Sequence, residues 1–135
     1  MLSAAQHEAV TSEAARPLQI LAGPGSGKTR VLTSRVAHLV RDSAAPIAPE
    51  RCVVVTFTNR AANEMRARLE TMIGADRTRR LVLGTFHAVC VRFLRRWGTR
   101  LGLDPRFTIA DTDDARRLLR DVDRDAPVDA TLAAI

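Results

Sequence analysis

Tyrosine is absent from this 135-residue chain, tryptophan occurs once, and there are only two cysteines. Two cysteines are too few for a disulfide framework. Cys52 and Cys90 each lie inside an apolar segment, which predicts buried free thiols rather than a bridge or a metal site. Long hydrophobic runs are also missing: the longest, such as Cys52–Val55, fall far short of the roughly 20 residues that a bilayer span requires. That excludes a transmembrane helix, and no membrane partner is expected. The first twenty residues carry Glu8 and Glu13 and lack a basic start followed by an apolar block, so neither a signal nor a transit peptide is expected and the protein is expected to be intracellular. The length allows one compact domain and not two. At 46% hydrophobic and 27% charged residues, the composition is that of a folded soluble core rather than a disordered chain.

Acidic residues are scarce in the middle of the chain. Residues 51–106 hold twelve basic against four acidic side chains, a net charge of +8, whereas residues 1–50 carry +1 and residues 107–135 carry −3. A concentrated positive segment points to a polyanion, with nucleic acid the leading candidate, although solvated helix faces are often arginine-rich too. The 21 basic residues are arginines except for Lys28.

Periodicity then sets out the elements. Leu2–Val10 reads as a short helix with Ser3 as N-cap and Gln6 in capping-box register. Leu18–Ala22 is an apolar run that stops at Gly23-Pro24-Gly25-Ser26-Gly27, which predicts a buried strand feeding a glycine-rich loop. Val31, Leu32, Val36, Leu39 and Val40 recur at helical spacing after it. Cys52–Phe57 is apolar on both alternations, the pattern of a parallel strand buried on both faces. Asn59 is placed to cap a surface helix over Arg60–Ile73 with Ala61, Met65, Leu69, Met72 and Ile73 as its apolar stripe. Leu81–Thr85 is a third strand. Phe86–Leu101 is a helix with Cys90, Leu94, Trp97 and Leu101 on one face, Trp97 being assigned to the core, and Arg92, Arg96 and Arg100 in a basic row on another. Phe107–Ile109 is a short extended piece, Asp111 caps a helix containing Ala115, Leu118, Leu119 and Val122, and the end from Asp123 thins into Asp and Ala. Alternating strand and helix is an α/β layout with a parallel sheet.

Ala22-Gly23-Pro24-Gly25-Ser26-Gly27-Lys28-Thr29 matches the phosphate-binding loop pattern, with Ala in place of the leading Gly, between a predicted strand and a predicted helix. Glycines let successive amide N–H groups turn inward around phosphate oxygens at a helix N-terminus whose dipole favours anions. Lys28 supplies a compact positive charge there, and the Thr29 hydroxyl can meet Mg²⁺. Such a loop implies nucleotide binding and leaves open what the energy is used for.

The order of further motifs narrows that. Leu2–Val10 looks like a Q-motif helix and Ala22–Arg30 like motif I. Val55-Thr56-Phe57-Thr58-Asn59-Arg60-Ala61-Ala62-Asn63-Glu64-Met65 is similar to motif Ia, and Gly84-Thr85-Phe86-His87-Ala88 to motif Ib. Together they resemble the N-terminal motor domain of the UvrD/Rep family of superfamily 1 DNA helicases, a likeness that runs through Phe107–Asp111. The resemblance implies an α/β P-loop NTPase (RecA-like) parallel sheet with flanking helices, incomplete here, plus the start of a helical insertion subdomain. Residues 1–106 would be the N-terminal part of the ATP-binding domain and residues 107–135 the start of the insertion.

The same resemblance implies ATP and Mg²⁺ as cofactors, held by Gln6, Ala22, Gly23, Pro24, Gly25, Ser26, Gly27, Lys28, Thr29 and Arg30. Gln6 would contact the adenine, Lys28 and Thr29 would take part in catalysis, and Thr29 would hold Mg²⁺. Single-stranded DNA would meet Thr56, Phe57, Asn59, Thr85 and His87; physically, a ring at a strand end stacks bases of any sequence, and a hydroxyl, an imidazole and helix N-terminal amides suit a backbone phosphate. The bland readings are a capping glutamine, a core phenylalanine and solvated polar residues.

By that likeness the lineage is a 3′ to 5′ DNA-translocating ATPase of repair or recombination, nuclear in a eukaryote and otherwise cytoplasmic. The family's Asp-Glu pair for Mg²⁺ and water, and its second motor domain, have no counterpart in these residues. Asp111 is the internal carboxylate at a plausible distance, and it reads better as a helix cap. The expectation is therefore a truncated piece that needs the remainder of the motor. The alternatives are a non-catalytic binder of nucleotide and single-stranded DNA, an incomplete gene model, or a small P-loop kinase, for which no lid segment is visible.

Overall fold

The computed structural model of the chain describes residues 2–122 and Pro127; the Asp- and Ala-rich end expected from Asp123 otherwise lies outside the described residues. The chain divides into two compact units, residues 1–93 and 94–135. In the first, α1 (Ala4–Thr11) precedes an irregular segment and the glycine-rich loop. Then come α2 (Lys28–Ala37), which runs on into a π-helical turn at His38–Asp42, a 3₁₀ turn at Pro49–Arg51, and β1 (Val53–Thr56). α3 (Asn59–Ile73) and α4 (Ala75–Arg80) return the chain to β2 (Val82–Thr85), from which α5 (Phe86–Trp97) leaves. The second unit holds a 3₁₀ turn at Gly98–Leu101 and α6 (Thr112–Val122).

β1 and β2 pair in parallel with Val53 opposite Val82, Val54 opposite Leu83, Val55 opposite Gly84 and Thr56 opposite Thr85. A parallel pair needs a crossover, and α3–α4 provide it. The core lies beneath that crossover. Val36, Ala37 and Val40 of the α2 end meet Ala62, Met65, Leu69 and Ile73 of α3 and Val54, Leu81 and Leu83 of the sheet region. Burying an aliphatic side chain of this kind contributes about 1.5–3 kcal/mol, so this cluster fixes the strand ends relative to α2. Thr33 and Thr78 are buried with it, their hydroxyls donating to Thr29 and Arg30 carbonyls (3.0 Å each) and to the Gly74 carbonyl (2.9 Å).

Several expectations are corrected. Leu18–Ala22 is not a strand: it carries no regular secondary structure and pairs with no ladder, and Leu21 is 85% exposed. Apolar composition does not make a strand without a partner edge, and β1 and β2 pair only with each other among the described residues. β1 is buried on one face, not two, because α3 covers the side carrying Val54 while Val53 on the other side is exposed. The cap of α3 is Thr58, still in extended backbone, whose hydroxyl accepts from the Ala61 N–H (3.1 Å); Asn59 is already the first helical residue. The apolar face expected for α5 is not core. Val89 takes the buried position, Cys90 is exposed, Trp97 is 43% exposed, and Leu101 stands outward on the 3₁₀ turn. Cys52 is half-buried, and that burial pushes its thiol pKa up. Asp111 caps α6 as expected, its Oδ1 accepting from the Asp113 and Asp114 N–H groups at 2.8 Å. Among the described residues no helix is long and apolar enough to cross a membrane.

Candidate nucleotide loop and nucleic-acid face

The loop turns on two glycines. Gly25 (φ 74°) and Gly27 (φ 86°) adopt left-handed backbone, which side-chain-bearing residues rarely reach, and Gly27 leads straight into α2 at Lys28. No side chain caps α2, so its first-turn amides are left open at the positive end of the helix dipole. The loop is braced from within. The Ser26 hydroxyl donates to the Gly23 carbonyl (2.7 Å), and the Lys28 ammonium donates to the carbonyls of Ala22 and Gly23, both at 2.7 Å. Lys28 thus spends two of its three donors on the loop's own backbone. Pro24 sits in the turn between them. Thr29 and Arg30 are exposed on the first turn of α2, and a cleft is lined by Gly25, Gly27, Lys28, Thr29, Arg30 and Arg68 of α3.

Gln6 reaches this loop from α1. Its backbone N–H donates to the Ser3 hydroxyl (3.3 Å), its Oε1 accepts from the Ser3 N–H (2.9 Å), and its Nε2 donates to the Ser26 carbonyl (3.0 Å), twenty residues away. The capping box and the reach to the loop therefore coexist. One amide hydrogen and one lone pair of the side chain are left over.

The strand ends form the second part of the site. Register puts Thr56 beside Thr85 at the C-terminal edge of the sheet. The Thr56 hydroxyl donates to the Thr58 carbonyl (3.0 Å), and the Thr85 hydroxyl accepts from the Ala88 N–H (3.3 Å), capping the start of α5. Phe57 is 89% exposed, which rules out the core reading of that ring. It lies against Phe86 with centroids 5.5 Å apart and planes tilted by 46°, so two rings stand together at this edge. Asn59 and His87 are exposed beside them in sequence. One cleft joins the two parts: Lys28, Thr29 and Leu32 line it from α2, and Thr56, Phe57, Thr58, Ala61 and Met65 from the strand end and α3.

Arg92, Arg96 and Arg100 are exposed, but Arg100 lies on the 3₁₀ turn rather than α5, and the Arg96 guanidinium sits 5.3 Å from the Trp97 ring centre. Among the described residues no group of three or more His, Cys, Asp or Glu could hold a metal ion. Arg68 and Phe86 enter the site without having been singled out from sequence. Arg68 lies off the apolar stripe of α3, and its ion pair with Glu64 one turn earlier was the readable hint. Phe86 follows β2 directly, as Phe57 follows β1.

Fold and site together define an α/β domain with a glycine-rich loop ahead of a helix, beside an aromatic strand edge. The profile of the UvrD/REP helicase N-terminal domain matches residues 2–134, and the chain belongs to that helicase family. It is 50% identical over 113 residues to the ATP-dependent DNA helicase PcrA of Leuconostoc citreum, covering 84% of this chain and 15% of that protein. The ATP-dependent DNA helicase PcrA of Staphylococcus epidermidis is 42% identical over 130 residues, 96% of this chain and 17% of the relative. The ATP-dependent DNA helicase srs2 of Schizosaccharomyces pombe is 45% identical over 102 residues, 76% and 11%. The chain thus spans less than a fifth of the length of these curated relatives.

Proposed function

We propose that this chain is the nucleotide-loop part of a 3′ to 5′ DNA-translocating ATPase, in which ATP at residues 22–30 and single-stranded DNA at the strand ends are read by one connected surface. The carrying observation is the shared cleft, in which Lys28 and Thr29 face Thr56, Phe57 and Thr58. ATP fits the loop for reasons of donor chemistry. The open amides of α2, Lys28 and Arg30 are donors without a competing carboxylate in the cleft, which suits a polyphosphate. The spare donor and acceptor of Gln6 match the N7 acceptor and N6 amino donor of adenine, and a 6-oxo purine offers the wrong partner to its Oε1. Thr29 would bring its hydroxyl to Mg²⁺, which when bound neutralises phosphate charge.

Lys28 changes partners in this scheme: its ammonium leaves the Ala22 and Gly23 carbonyls for phosphate oxygens, and the brace becomes the grip. Phe57, with Phe86 behind it, offers a stacking surface that accepts any base. Thr85, His87 and Asn59 flank it as phosphate and sugar donors. These residues contain no Asp-Glu pair, so the chain binds ATP without turning it over, and hydrolysis, polarity and a role in repair or recombination belong to the remainder of the motor. Residues 1–106 would serve the ATP-binding domain and residues 107–135 the helical insertion.

The test is binding of Mg²⁺-ATP to the 135-residue chain and to Lys28→Ala, with phosphate release followed in the same samples. The expected result is binding by the wild type, a loss of about 100-fold in Lys28→Ala, as fits a charge-assisted contact of up to about 3 kcal/mol, and no turnover in either. Turnover that Lys28→Ala abolishes would place a working carboxylate within these residues and overturn the division of labour.

A further inference from the structure

α1 is poorly equipped to hold its own position. It has eight residues, a length at which isolated helices are marginal in water, and Val10 is its one buried side chain. Its N-terminus is closed by the Ser3–Gln6 capping box, but its last turn contains no basic residue, and its final carbonyls would be left at the negative end of the dipole. An arginine from another helix fills that place. Arg35 lies seven residues after Lys28, about two turns along α2. Its Nη1 sits among the carbonyls of Ala9 (2.8 Å), Val10 (3.3 Å) and Ser12 (3.0 Å) and the Ser12 hydroxyl (2.7 Å), and its Nη2 reaches the Glu13 carbonyl (3.5 Å). The two hydrogens on Nη1 are shared among four oxygens, an arrangement that grips the whole end of α1. The Ser12 hydroxyl also donates to the Ala9 carbonyl (3.2 Å), closing the cluster.

One turn before this clamp, Gln6 extends its amide to Ser26 in the loop. The short helix is therefore pinned to α2 at its C-terminal end and reaches the loop at the start of the same helix through the Gln6 side chain. We propose that Arg35 is a positioning residue that sets base selectivity: by fixing α1 on the helix that carries Lys28, it holds the Gln6 amide where an adenine edge would meet it. Arg35 itself acts from the far end of α1. The fork shape matters, because a lysine ammonium is a single point that cannot span carbonyls from Ala9 to Glu13. This inference rests on the proposed adenine contact of Gln6, and its test separates the two.

The experiment measures binding of ATP and of ITP, each with Mg²⁺, to the 135-residue chain as wild type, Arg35→Ala, Arg35→Lys and Gln6→Ala, together with amide hydrogen exchange over α1 and α3. ITP keeps the triphosphate and replaces the adenine amino group by oxygen. In Arg35→Ala, ATP affinity is expected to fall about tenfold, the loss of one well-placed base contact, with ITP unchanged. Exchange over Ala4–Thr11 rises while α3 stays protected, and Arg35→Lys falls between. Gln6→Ala removes the same preference. Equal losses for ATP and ITP in Arg35→Ala, or α1 exchange at the wild-type rate, overturn the positioning role. If the wild type binds ATP and ITP alike, the adenine reading of Gln6 and the selectivity it would confer both fail, and the exchange data then decide separately whether Arg35 fixes α1.

Discussion

The loop and the strand edge solve opposite problems with the same core beneath them. At the loop, polar groups bond to one another: Lys28 to Ala22 and Gly23, Ser26 to Gly23, and Gln6 to Ser26. At the strand edge the prominent groups are two rings that meet each other and otherwise face outward. Polar donors can occupy themselves with nearby carbonyls and exchange those partners for a phosphate at little net cost, because each hydrogen bond lost is replaced. An exposed ring has no such internal substitute. A polar site can therefore stay closed on itself, whereas an apolar site advertises its ligand by its exposure.

The core beneath both regions is where the comparison breaks first. Leu69 is fully buried between α2, α3 and the sheet. Leu69→Ala is expected to cost about 2–5 kcal/mol through the cavity it leaves, lowering the thermal midpoint and weakening nucleotide and oligonucleotide binding together. If only one of the two falls, the regions do not share this support. Phe57→Ala sharpens the contrast from the other side. It is expected to lower affinity for a short oligothymidine by about tenfold, within the 1–3 kcal/mol of a base–aromatic stack, while ATP binding stays at the wild-type value; an equal fall in both is the contrary result.

The smallest effect concerns neither region. Glu50 accepts a hydrogen bond from Arg80, which, with the neighbouring charge, holds its pKa below the ordinary carboxylate range. A carboxylate with a lowered folded pKa contributes stability that is present above its unfolded pKa and lost as pH falls through the folded one. Both side chains are about half exposed, so the contribution is slight. Glu50→Gln is expected to flatten the acid side of the midpoint-against-pH curve by a small amount and to leave both ligand affinities untouched.

Much of this was legible in the sequence where local rules decide. The stripe of α3 follows from 3.6-residue spacing, and the Ser3–Gln6 box and the Asp111 cap from side chains that bond within three residues. The glycine-rich loop ahead of a helix announces itself by composition, and the ordered motifs carry the likeness to the helicase family. What failed was decided at a distance. Leu18–Ala22 has the residues of a strand and no edge to pair with, and Val53 lies on a sheet face that α3 does not cover. Cys90 and Trp97 share a helical face that periodicity marks as apolar, but burial depends on what lies opposite, and there Val89 alone is buried. The choice of Thr58 over Asn59 as cap turned on where extended backbone ends, one residue beyond what spacing resolves. Arg35 looked like any arginine in a helix, since its partners are the backbone carbonyls of a different segment.

The central claim is that nucleotide loop and strand edge form one connected surface, and it is tested most directly by the affinity of a fluorescent oligothymidine for the chain with and without saturating Mg²⁺-ATP, beside Lys28→Ala. The account predicts that ATP shifts the wild-type affinity several-fold, a coupling of about 1 kcal/mol, and leaves Lys28→Ala unmoved. Identical oligonucleotide affinities with and without bound ATP in the wild type would contradict it.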